Sequence, residues 1–168
     1  MDLQRILVPV DFSESSAGAL RHAVELAVES GGSLIIVHVV PSDYGWLGIG
    51  RDESRDLDRS LQRQAANRLE GLADEHVDHK VVAELEVRIG QPATQIAAAA
   101  TDSKCNLIVM ATHGLTGLDR YLIGSVADRV ARLAPCPVLL IPPVRRPIVG
   151  ALPSQTVLRF KHKPKRGR

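Results

Sequence analysis

Five short apolar runs recur along the chain, and segments with helically spaced hydrophobic residues lie between them. Arg5 to Val10 (RILVPV), Ser33 to Val40 (SLIIVHVV) and Asn106 to Ala111 (NLIVMA) are nearly continuous, the pattern of strands covered on both faces. Val81 to Ile89 (VVAELEVRI) alternates up to Gly90, and Val138 to Ile141 follows Pro135-Cys136-Pro137; both read as further strands. After Ser13 to Ser16, which offer N-cap oxygens, Ala17, Leu20, Val24, Ala27 and Val28 mark a helix that Gly31-Gly32 stops. Leu61, Ala65, Leu69 and Leu72 place a second helix over Ser60 to Ala73, and the Gly-, Asp- and Arg-rich stretch Pro41 to Leu57 before it reads as a loop. Pro92 opens a third helix through Ile96 and Ala97 to Ala100. A Gly-bearing segment, Thr112 to Ile123, leads into a fourth, from about Gly124 to Leu133.

Strands that alternate with helices and are buried on both faces predict a parallel sheet with right-handed crossovers: an α/β fold, a three-layer α/β/α sandwich with a five-stranded parallel sheet. Ligands of such sheets bind beyond the carboxyl ends of the strands, where the strand order reverses. If the first and fourth strands are neighbours there, Pro9-Val10-Asp11 and Ala111 to Ser125 form the site. The 168 residues suit one core, and with aromatics at only 3% that core must be built of Val, Ile, Leu and Ala. Stacking platforms for single-stranded nucleic acid are thereby disfavoured.

Residues 1–142 hold 13 Lys and Arg against all 19 acids, whereas residues 143–168 hold 8 Lys and Arg and no acid. This divides the chain into an acidic body and a basic tail. No stretch reaches the ~18 apolar residues of a membrane span, and the start has too short an apolar run for a secretory signal, so a cytoplasmic protein is expected. Cys105 and Cys136 lack CxxC spacing and read as buried free thiols.

The richest chemistry lies in Ala111-Thr112-His113-Gly114-Leu115-Thr116-Gly117-Leu118-Asp119-Arg120-Tyr121-Leu122-Ile123-Gly124-Ser125-Val126. Gly114 and Gly117 permit close backbone approach to a ligand, and the helix opening at Gly124-Ser125 presents free N–H groups to an anion. An ordinary strand-to-helix loop with turn glycines has the same spacing. The segment resembles the nucleotide-binding motif of the universal stress proteins: Gly, two residues, Gly, nine residues, Gly-Ser/Thr. Here it runs Ala111, Gly114, Gly124-Ser125. The likeness extends to Ile6 through Ser13, His38-Val39, Gly90-Gln91-Pro92, Leu107 to Met110 and Ala134 to Leu139, and covers about residues 3–142.

This resemblance implies a Rossmann-like fold of the adenine nucleotide alpha hydrolase type and a homodimer joined through the edge strand Val138 to Ile141. It implies ATP or a related adenine nucleotide, with Mg²⁺, as ligand. Pro9, Asp11 and Val39 would face the base, with Met110 on its other side, and Val10 belongs to the same nucleotide-binding segment. Ala111, Thr112, His113, Gly114, Gly117, Gly124, Ser125 and Val126 would hold ribose and phosphates. Two positions depart from the pattern: Ala111 stands for the first glycine, and Leu115 stands where many members carry a cation, which Arg120 would replace if its loop folds toward the ligand. The departures keep open an interaction protein that has the fold without the ligand. A slow ATP hydrolase is a further alternative, although no triad or paired-carboxylate arrangement names a catalytic residue. His76-Val77-Asp78-His79 has metal-like spacing but falls where a hydrated turn is expected, and His22 and His38 read as packing residues. The basic tail is read as a flexible arm with weak, salt-sensitive affinity for an anionic partner.

Overall fold

A computed structural model describes residues 3–42, 51–112 and 123–142, and of residues 51–55 the backbone alone. The elements follow the order β1 (Arg5–Pro9), α1 (Glu14–Ser30), β2 (Ser33–Val40), α2 (Arg51–His76), β3 (Ala83–Ile89), α3 (Pro92–Asp102), β4 (Leu107–Ala111), α4 (Ser125–Leu133) and β5 (Val138–Ile141). All neighbouring strands are parallel, in the order β3-β2-β1-β4-β5. The expected five-stranded parallel sheet is therefore present, and the order reverses between β1 and β4.

Each strand divides its side chains between two cores because successive residues point to opposite faces. Ile6, Val8, Leu34, Ile36, Leu107 and Val109 pack beneath α1 and α2, against Leu20, Ala23, Val24 and Leu69. Leu7, Ile35, Val37, Ile108 and Met110 pack on the other side against Ala93, Ile96 and Ala99 of α3 and Ala127 and Val130 of α4. Helices thus cover both faces, which explains why the central strands read as unbroken apolar runs rather than alternating ones. The capping signals act as expected: Ser13 caps α1 by accepting from Ser16 N–H, Gly31 ends it at φ 68°, and Pro92 stands in the first turn of α3.

Three expectations need correction. The loop read over Pro41 to Leu57 is helical from Arg51 onward, while residues 43–50 lie outside the described set. That first part of α2 has no apolar stripe to betray it, and carries charge pairs such as Asp56 with Arg59, 3.6 Å apart three residues on. The third strand starts at Ala83, two residues late; Val81 is buried in the core and Val82 is exposed. His22 is not a packing residue, for its imidazole is solvated and lies 3.5 Å from Glu25 on the outer face of α1.

Candidate functional site

The ladder between β1 and β4 is the shortest in the sheet. Arg5 C=O accepts from Asn106 N–H at 2.8 Å, Ile6 pairs with Leu107 and Leu7 with Ile108, and there the pairing ends. Val10 N–H donates to Val37 C=O on the β2 side, at 2.9 Å. Backbone polar groups alternate sides along a strand, so residue 9 turns its backbone toward β4, and residue 9 is a proline with no N–H to give. A proline inside a central strand is tolerated here because the position it would have to bond is the gap itself.

A cavity of about 470 Å³ occupies that gap, within the roughly 300–1,000 Å³ typical of small-molecule sites. Pro9, Val10, Asp11, Val39, Met110, Ala111, Thr112, Gly124, Ser125 and Val126 all line it. These are all ten of the expected site residues that fall in described segments, brought together from the ends of β1, β2 and β4 and the start of α4. His113, Gly114, Leu115, Gly117 and Arg120 lie outside the described residues. The sequence reading missed seven further lining residues, among them Ser16, His38, Pro41, Pro92 and Ile96. Pro92 and Ile96 carried a signal, since a helix that starts after the carboxyl end of β3 turns its first apolar residues toward the switch point.

The rim beside α4 is closed by Gly124 N–H, which donates to Thr112 C=O at 2.7 Å and holds together the two ends of the intervening segment. Gly124 caps α4 without a side-chain hydrogen bond. The first-turn amides of Ser125 and Val126 therefore receive no side-chain cap from that residue, and they meet the cavity at the positive end of the helix.

The opposite rim is built around Asp11. Its Oδ1 accepts from Ser13 N–H at 3.0 Å and from Ser13 Oγ at 2.5 Å, and its own N–H faces the Oγ of buried Ser16 at 3.4 Å. This Asx turn runs straight into the cap of α1. Phe12, in the middle of the turn, has φ 63°, a left-handed conformation that costs a bulky residue about 1–3 kcal/mol. Its ring lies 4.4 Å from the His38 ring, and the Arg68 guanidinium of α2 stands 4.0 Å from its centroid. An aromatic pair and a cation–π contact return about 1–2 kcal/mol together, which offsets much of the strain. His38 Nδ1–H donates to Val10 C=O at 2.8 Å, which fixes the tautomer. Burial, with the nearby Arg68 cation, holds the imidazole below its ordinary pKa against the opposing pull of the Val10 carbonyl and Asp11. Among the described residues, Asp11 and His38 are the only ionisable side chains on the cavity wall.

The other chemical candidates sit elsewhere. His76 ends α2, and Asp78 accepts from Lys80 N–H at 2.9 Å in the turn that follows. No group of three or more His, Cys, Asp or Glu suited to a metal occurs among the described residues. Cys105 is a buried free thiol and Cys136 a half-buried one, both against the α3/α4 core. The tail, residues 143–168, lies outside the described residues.

A doubly wound parallel sheet with an open cavity at its switch point defines a class of α/β domains with a crevice beyond the carboxyl ends of their strands. Within that class the chain belongs to the universal stress protein family, whose family model matches residues 2–142. It is 34% identical over 142 residues to the universal stress protein MJ0531 of Methanocaldococcus jannaschii, covering 82% of this chain and 81% of that protein. The solved structure of protein MJ0577, assigned a biochemical function from its structure, superposes with a TM-score of 0.77 at 26% identity over 87% of this chain and 100% of the other. A universal stress protein from Archaeoglobus fulgidus, solved in complex with dAMP, shares the fold with a TM-score of 0.53 at 23% identity, over 83% of this chain and 98% of that one.

Proposed function

We propose that this chain is a nucleotide-binding module that takes ATP or a related adenine nucleotide in the switch-point cavity and acts in the stress response through its occupancy, by signalling or interaction. The observation that carries the reading is the convergence of five separate segments on one cavity with complementary ends. Val39, Ile96 and Met110 supply apolar walls for a base, Asp11 supplies a carboxylate for an amino group, and the start of α4 supplies amides for phosphate. The dAMP complex of the Archaeoglobus relative supports an adenine nucleotide as the ligand type. Asp11 is the sole carboxylate on the described wall and is assigned to the base, so Mg²⁺ would arrive with the phosphates and keep its waters.

The test is calorimetric titration of the purified protein with ATP, ADP and AMP, after identifying any nucleotide that co-purifies. Gly124→Val, which puts a β-branched side chain at the helix mouth, should abolish binding with the fold intact. Unchanged affinity in that variant would sink the phosphate assignment.

A second reading, an interaction protein that keeps the fold without the ligand, is favoured by Ala111, whose methyl group borders the cavity where nucleotide binders have glycine. Ala111→Gly should tighten ATP binding if the methyl obstructs it, and no change would show that it is tolerated. A slow ATP hydrolase has less support. Asp11 Oδ1 already accepts two bonds from Ser13, and His38 donates its proton to Val10.

The same reading includes a homodimer through β5. This edge strand ends the sheet, and Leu139 on it and Leu133 before it are exposed large hydrophobics. Leu139→Lys should convert a sedimenting dimer to monomer; a wild-type monomer at micromolar concentration would refute the interface. A cytoplasmic location accords with the finding that no described helix is long and apolar enough to cross a membrane. The basic tail, with its 8 cations, is proposed to bind an anionic partner weakly. Retention on heparin at low salt should disappear when the chain is cut after Pro142, and equal retention of both forms would overturn this.

A further inference from the structure

We propose that Phe12, held by His38 of β2 and Arg68 of α2, is the positioning residue of the base-binding end of the cavity, keeping the turn that presents Asp11 in its left-handed form. The inference rests on the nucleotide reading given above and deepens it.

Three observations carry the proposal. Phe12 is one of two non-glycine residues with positive φ among those described, and it directly follows the carboxylate on the cavity wall. A bulky residue does not stay in this region unless its surroundings over-determine it. Those surroundings come from distant parts of the chain: the His38 ring at 4.4 Å and the Arg68 guanidinium at 4.0 Å. The turn itself is the device that aims the carboxylate. Asp11 Oδ1 is tied to the backbone and hydroxyl of Ser13, and Ser13 Oγ in turn accepts from Ser16 N–H at 3.2 Å to cap α1. Rotation at residue 12 would therefore swing Asp11 relative to Ser13 and undo both bonds.

His38 serves a double purpose. It borders the cavity, and its Nδ1–H anchors the Val10 carbonyl immediately before Asp11. Arg68 brings α2 into the same unit, although it is an exposed position on a helix that packs chiefly on β2 and β3. The turn that carries the carboxylate is thus held by its own hydrogen bonds to Ser13 and by a ring that two long-range partners keep in place.

The test is a double-mutant cycle between residue 12 and residue 11, with binding of adenosine, AMP and ATP measured by calorimetry. Phe12→Ala and Arg68→Met should each weaken all three ligands by the same factor, about tenfold for the former, the size expected when one charge-assisted hydrogen bond is lost. Arg68→Lys, which keeps a cation over the ring, should restore most of the loss. In an Asp11→Asn background, Phe12→Ala should change affinity less than about twofold, since residues that act through one group do not add. Losses that add in full, or that affect ATP while sparing adenosine, would overturn the proposal.

Because Phe12 also packs on the core, Arg68→Met, an exposed helical position, is the variant that leaves the fold safest. A readout without ligand keeps the two readings apart: the Ser13 amide should exchange with solvent at least severalfold faster in Arg68→Met than in wild type. If wild type binds none of the three ligands while Ser13 responds, the nucleotide reading fails and the clamp stands. If the ligands bind and neither affinity nor Ser13 exchange responds, the clamp fails alone.

Discussion

Substituting alanine for Gly31 and, separately, for Gly32 should produce very different losses of stability in two adjacent positions of one turn. Gly31 ends α1 at φ 68°, with nothing within 4 Å of the place a Cβ would occupy. Alanine there meets only the backbone penalty of the left-handed region, about 1 kcal/mol. Gly32 has an ordinary φ, but a Cβ on it would stand 2.1 Å from Leu3 O and 3.2 Å from Gln4 O, where real contacts essentially never fall below 3.0 Å. Ser30 Oγ at 3.1 Å can swing aside, but these two obstacles are backbone and cannot. Gln4 O already accepts from Ser33 N–H at 2.8 Å, and Leu3 O from Ser30 Oγ at 3.1 Å. Relief must therefore come from moving the chain that enters β1, and overpacking of this kind costs about 3 kcal/mol. With a urea slope of about 2 kcal/mol/M for a domain of this size, the midpoint should fall by about 0.5 M for Gly31→Ala and about 1.5 M for Gly32→Ala. Equilibrium unfolding followed by circular dichroism measures both. A Gly31→Ala loss equal to or larger than that of Gly32→Ala would refute the reasoning. Since this turn lies at the amino end of the strands, away from the cavity, folded Gly32→Ala should retain ligand affinity.

Burial holds His38 below its ordinary pKa, so from about pH 6.5 downward the unfolded chain binds more protons than the native one. The stability due to this group is complete above that point and is lost as pH falls through the window below it. The urea midpoint should drop between pH 7.5 and 5.5, and His38→Gln should flatten the drop; identical slopes in both proteins would contradict the assignment. Burial, with a contribution from neighbouring Cys136, pushes the Cys105 thiol up to about 11. Iodoacetamide at pH 8 should alkylate it on the order of a hundred-fold more slowly in the native than in the urea-unfolded protein, following the thiolate fraction. Equal rates would show that the thiol is not enclosed.

The parts of the fold that were legible in the sequence are those whose pattern is local. SLIIVHVV and NLIVMA announce buried parallel strands because both of their faces are covered, and Ser13, Gly31 and Pro92 act through neighbours no more than five residues away. The start of α2 was illegible because Arg51 to Asp56 are all polar, and Leu57 alone makes no stripe. His22 and His38 look alike in sequence, each beside apolar residues, yet one faces solvent and the other borders the cavity. The site was half legible: topology alone brings the ends of β1 and β4 together, and glycine before a helix marks an anion-sized opening. The Phe12, His38 and Arg68 cluster was invisible, since its members are up to 56 positions apart and nothing in their local spacing links them.

The two-rung ladder between β1 and β4 separates the existence of the cleft from its preference. The opening is made by main chain, where pairing stops after Leu7 and where Pro9 withholds a donor. The choice of occupant rests with side chains on the walls. Residues such as Val39, Ala111 or Ile96 can therefore be exchanged without closing the gap, and the same frame can change its ligand, or lose it, by a few substitutions that leave the sheet undisturbed. Among proteins built this way, kinship in fold is a poor guide to shared chemistry, and the walls must be read one chain at a time.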